Sequence, residues 1–162
     1  MRNATEWFDL YAESHQNATN KAIHWVCIPA ILLATLGLLQ SIPHPFGGVS
    51  PYLHWASIAW CGAMVFYGTL SWTIFAGMAV WGATCIAVNT AIASAELPLA
   101  AVSFGIFFLA WLAQFYGHTV EGKKPSFFND LQFLLVGPAW LLQFVYRRVG
   151  IPVETRRAVV RG

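Results

Sequence analysis

A chain of 162 residues fits one domain. With 57% hydrophobic and only 10% charged residues, it cannot clothe itself as a soluble domain does, where about a quarter of residues are charged. Its net charge of +2 is too small and too scattered for a nucleic-acid surface. Cys27, Cys61 and Cys85 stand singly in apolar runs, which provides neither a disulfide framework nor a zinc knot.

Between Lys21 and Glu96 lie 74 consecutive uncharged residues. At about 20 residues per crossing, that is room for three membrane spans with their turns. Stretches such as Ile31–Ala34 and Ala76–Ala83 are apolar on every side, unlike the alternating strands of a barrel. The expected fold is therefore all-α: a polytopic membrane protein with four transmembrane helices, forming a single membrane-embedded unit over residues 1–162.

In chain order, Asn3 to Glu6 reads as a helix start with a reciprocal cap. Trp7, Phe8, Leu10 and Tyr11 then share a face, as in a short helix lying on the membrane interface. The first twenty residues mix acids with aromatics, unlike a cleaved signal peptide. Polar residues from Ser14 to Asn20 end this helix, and the first span follows over 20–40 with Pro29 as a kink. Residues 41–51 hold three prolines and two glycines and form a loop. The 43 residues from Tyr52 to Ser94 would reach about 64 Å as one helix. They must fold back near Ser71-Trp72-Thr73, giving spans 52–71 and 74–94, with Gly77 and Gly82 allowing close helix contact. Glu96-Leu97-Pro98 marks a turn before the fourth span, 99–118. Residues 131–146, interrupted by Gly137-Pro138, read as a re-entrant or interfacial helical hairpin. Every Lys and Arg falls on one side only if the chain crosses four times and this hairpin does not cross. The positive-inside rule then places both termini in the cytoplasm, in a bacterial inner membrane or the endoplasmic reticulum.

This topology sorts the five histidines. His15, His24 and His118 lie toward the cytoplasmic end, whereas His44 and His54 belong to the other. On one straight helix His15 and His24 would point apart, but the turn between them folds His15 back over the start of the first span. Asn20 and His24 share a helix face, as do Gln114 and His118, and Glu121 follows three residues on. Ionisable groups at membrane depth mark functional sites. Neutral imidazoles with at most one carboxylate suit iron or zinc with open coordination positions. Asn17, Asn20 and Gln114 are candidates for fixing the imidazole tautomers. The non-catalytic alternatives are an interfacial hydrogen bond for His15, a packing hydrogen bond for His24 and a helix cap for His118.

The segment Tyr11 to Pro29, with its His-x-Asn-x-x-Asn-x-x-x-His block, and the segment Gln114 to Pro125, with Gly-His followed by Glu-Gly-x-x-Pro, together resemble the membrane 2-hydroxy fatty acid dioxygenase family, whose founding member works in phytosphingosine breakdown. The resemblance covers about thirty positions. It implies an Fe(2+)-dependent enzyme that uses O2 to shorten a long-chain 2-hydroxy fatty acid by one carbon, an α-oxidation. Carried over by motif position, His15, His24 and His118 would be the iron ligands and Glu121 a fourth ligand or a base. Lys21, Lys123 or Lys124 could pair with the substrate carboxylate, or serve only as positive-inside anchors. Phe115, Tyr116, Phe127 and Phe128 could line the acyl groove. Two rival readings use the same residues: a zinc-dependent membrane lipid hydrolase, and a haem-binding electron carrier with His24 and His118 as axial ligands.

Overall fold

A computed structural model describes residues 2–45, 50, 52–125 and 132–153. Six helices account for the architecture, with no strand among the described residues: α1 (Ala4–Ala12), α2 (Ala18–Gln40), α3 (Trp55–Leu70), α4 (Trp72–Ser94), α5 (Leu99–Glu121) and α6 (Phe133–Val149).

The start of α1 is set by the cap read from the sequence. Asn3 Oδ1 accepts from the Glu6 amide at 2.9 Å, and the Asn3 amide donates to Glu6 Oε2 at 2.9 Å. Its aromatic face is not spread on lipid, however. Trp7, Phe8 and Tyr11 are buried, with Trp7 edge-on to Phe133 at 5.2 Å and Tyr11 5.3 Å from Trp140. The face expected to lie on the bilayer instead anchors α1 to α6.

Three helices, α2, α4 and α5, are long and apolar enough to cross a membrane. The expectation of four spans is corrected at α3, which has 16 residues and a length of about 24 Å, short of a hydrocarbon core of about 30 Å. Two local features trim it. His54 caps its start, Nδ1 accepting from the Ser57 amide at 3.2 Å, and Ser71 ends it in extended backbone at φ −167°, ψ 140°.

Helices α2 and α5 pack antiparallel along their whole length. Near one end Gly117 lies against Asn20, and near the other Gly37 lies against Ser103, where an added Cβ would collide with the hydroxyl. Asn89 of α4 joins that far contact, its Nδ2 donating to the Leu33 carbonyl at 3.0 Å. The glycines of α4 take large neighbours: Gly82 receives the Trp60 indole of α3, and Gly77 receives Tyr146 and Leu142 of α6.

The expected C-terminal hairpin is one continuous helix. Pro138 costs α6 the bond that an amide there would make to the carbonyl of Leu134, which its ring also crowds, without ending the helix, and Gly137 lets Tyr11 and Ile28 close in. Helix α6 lies across the end of the bundle. Its first residue touches Trp7, Tyr67 Oη donates to the Leu135 carbonyl at 2.9 Å, and Tyr146 Oη donates to the Thr73 carbonyl at 3.0 Å.

Candidate metal centre

The turn between α1 and α2 delivers His15, the second turn of α2 carries His24, and the last turn of α5 carries His118. All three are buried, at 1%, 1% and 4% exposure. Their ring centroids stand 4.4 Å (His15–His24), 5.1 Å (His15–His118) and 4.9 Å (His24–His118) apart. One ring nitrogen from each lies within 4.8 Å of the other two, a separation that a small inward rotation closes to metal-bonding distances of about 2.0–2.1 Å.

Hydrogen bonding sets the tautomers. His15 Nδ1 lies 2.6 Å from the Tyr11 carbonyl and His24 Nδ1 lies 2.9 Å from the Asn20 carbonyl. A carbonyl only accepts, so each Nδ1 donates and each Nε2 carries the lone pair. Both Nε2 atoms are buried without a partner, as is Nδ1 of His118. Three orphaned ring nitrogens around one point are costly unless something binds them, and a neutral N3 donor set with open positions fits a divalent transition metal. Burial, with His24 alongside, pushes the His15 imidazole down to about 3, so the ring is in its neutral, ligating form.

Glu121 stands outside this group of three. Its Oε1 accepts from the Gln16 amide at 2.8 Å, and its Oε2 accepts from the Asn17 amide at 2.8 Å and Asn20 Nδ2 at 3.1 Å. The carboxylate therefore ties the end of α5 to the turn that holds His15. Two of the three carboxamides expected near the rings, those of Asn17 and Asn20, make their bonds elsewhere. Asn17 Oδ1 caps α2 by accepting from the Thr19 amide at 2.8 Å. Asn20 Nδ2 also donates to the Ser14 carbonyl at 3.1 Å, and only the main-chain carbonyl of Asn20 orients an imidazole. Gln114 is buried one turn before His118 and lines a cavity beside it.

That cavity, of about 390 Å³, runs from His15, His24 and His118 between α2, α5 and α6 with almost wholly apolar walls. Its size is in the usual range for a bound small molecule. Lys123 and Lys124 share a second surface recess with His118, and Lys123 Nζ also donates to the Glu13 carbonyl at 2.7 Å. Lys21, Phe115 and Tyr116 do not line the apolar cavity, and Tyr116 is 63% exposed. Phe127 and Phe128 lie outside the described residues.

Two residues that the sequence reading did not assign to the site hold His15. Tyr11 stacks on its ring at 4.0 Å, nearly parallel, and Trp140 stands 5.6 Å away. The four-residue spacing of Tyr11 and His15 was a visible signal, whereas Trp140 arrives only through the docking of α6.

No curated protein and no solved structure matches the chain. A family model does, over residues 1–149, nearly the whole chain and every residue of the imidazole group. The chain belongs to the 2-hydroxy-palmitic acid dioxygenase Mpo1-like family.

Proposed function

We propose that this protein is a membrane-embedded non-haem Fe(II) dioxygenase that converts 2-hydroxy fatty acids to acids one carbon shorter. The observation that carries the reading is the meeting of three partnerless buried imidazole nitrogens with the head of an apolar cavity of acyl dimensions. His15, His24 and His118 would hold the ion. When bound, ferrous iron supplies sites for the substrate's carboxylate and hydroxyl oxygens and for O2.

The remaining work belongs to the chain. The carbonyls of Tyr11 and Asn20 hold two imidazoles by Nδ1 and so fix the tautomer that leaves the Nε2 lone pairs facing inward. Gln114, one turn into the cavity, offers an amide to a substrate oxygen. Lys123 and Lys124 at the rim, with Lys21 on the first turn of α2, draw the carboxylate toward the imidazoles. The walls of the cavity keep water from the reacting carbons. With Arg2, Lys21, Lys123 and Lys124 near the imidazole end and only Glu96 charged at the other, that end faces the cytoplasm. Glu121 acts by positioning the turn that carries His15.

Metal analysis of anaerobically purified protein, with O2 uptake and product analysis on 2-hydroxypalmitate, tests the reading. Iron, O2 consumption and a product acid one carbon shorter are expected. Zinc with hydrolysis of a lipid amide and no O2 uptake would overturn it. Axial haem ligation by His24 and His118 finds no support, because rings 4.9 Å apart leave no room for a macrocycle between them.

A further inference from the structure

The apolar cavity has a definite length, written in the same number of residues on both of its long walls. From His24 the α2 wall continues through Ile28, Ile31 and Leu32 and ends at Thr35. From His118 the α5 wall continues through Gln114 and Trp111 and ends at Phe107. Each stripe covers twelve residues, eleven helical steps of about 1.5 Å and so about 16 Å along its helix. Just past both ends Gly37 of α2 meets Ser103 of α5, and Asn89 of α4 stands at the same point. Gly37 brings α2 as near to α5 there as a residue without a side chain allows.

We propose that Thr35 and Phe107, backed by the Gly37–Ser103 contact, form the end wall of an acyl-chain ruler and so determine which chain lengths the site accepts. The proposal rests on the reading of the cavity as the acyl site. An extended chain advances about 1.2 Å per bond, so the cavity takes about fourteen bonds beyond the head group. That corresponds to a hydroxy acid of about sixteen carbons with C1 and C2 at the imidazoles. A lipid ligand partitions into micelles as readily as into the cavity, so added methylenes bring no net gain until the wall is reached. Beyond it they must bend or be expelled.

The test measures displacement of radiolabelled 2-hydroxypalmitate from the detergent-purified full chain by straight-chain 2-hydroxy acids of 10 to 22 carbons, with O2 uptake followed in parallel. For the native protein, relative binding should be flat up to sixteen carbons and fall at least fivefold by twenty. Thr35→Phe should move the break down by two to four carbons, and Phe107→Ala should move it up by a similar amount. Far-UV circular dichroism and detergent-solubilised elution matching the native protein's confirm that both variants are folded. A profile with no break, or a break that neither variant moves, overturns the ruler. A break that moves as expected in a protein that consumes no O2 supports the ruler and overturns the dioxygenase reading, so the two fail separately.

Discussion

Replacing Glu121 with Gln tests whether this carboxylate braces the site or belongs to it. The native carboxylate accepts from two main-chain amides at 2.8 Å and from Asn20 Nδ2 at 3.1 Å. Hydrogen bonds to a charged group are worth about 1.5–3 kcal/mol each when shielded, and Glu121 is only half-buried, so the lower end applies. A glutamine keeps one good acceptor, loses the charge and turns an NH2 group toward amides that can only donate. The net cost is about 2 kcal/mol, taken mostly from the closed form of the α1–α2 turn. Because that turn carries His15, metal binding must pay to close it, and affinity should fall about 30-fold. The assay is an anaerobic ferrous titration followed by O2 uptake on 2-hydroxypalmitate at saturating metal. Weakened metal affinity with turnover per bound iron near native is the expected result. Turnover that stays lost at saturating iron would make Glu121 a participant in the chemistry, and an affinity within twofold of native would remove the brace.

His15→Ala, His24→Ala and His118→Ala should each reduce turnover by more than the roughly 10–100-fold typical of a ligand's outer partner, with helix content by circular dichroism unchanged; a variant that retains activity removes its residue from the ligand set. Gly82→Ala drives a methyl group into the Trp60 indole, an overpacking cost of about 1–3 kcal/mol, read as a fall in Tm of about 3–8 °C with metal affinity preserved. Tyr67→Phe removes the hydroxyl that ties α3 to the Leu135 carbonyl, costing about 0.5–1.5 kcal/mol; hydrogen exchange should show faster opening of α6 than of α2, and equal protection of the two would count against this anchor.

How far the site could be read in advance followed from how local its determinants are. The convergence of His15, His24 and His118 was legible because one polar turn and the end of one apolar run suffice to bring them to the same end of the bundle. The cap at Asn3 and Glu6 was legible for the same reason, since both partners lie within one helical turn. Glu121 was not. Its spacing from His118 puts it near the imidazoles, but the direction of its carboxylate depends on the amides of Gln16 and Asn17, more than a hundred residues away in the chain. The length of α3 was hidden too, because hydropathy does not record that His54 turns its ring back to cap Ser57. Nor does a Gly-Pro pair reveal whether it breaks a helix. At Gly137-Pro138 the close approach of Tyr11 rewards a small residue without ending α6.

The imidazoles of His15 and His24 are aimed by carbonyl oxygens, which belong to every amino acid alike. No point substitution at Tyr11 or Asn20 can delete these acceptors, although it can disturb the rings that rest on them. Insertions and deletions are different. One residue added between Asn20 and His24 would turn the ring about 100° around the helix and away from His15 and His118, while leaving hydropathy and span length almost untouched. Loss of metal binding on a frame change of one residue, at a site whose acceptor atoms no replacement can remove, is the pattern that a deep mutational library containing single-codon indels should reveal at these positions.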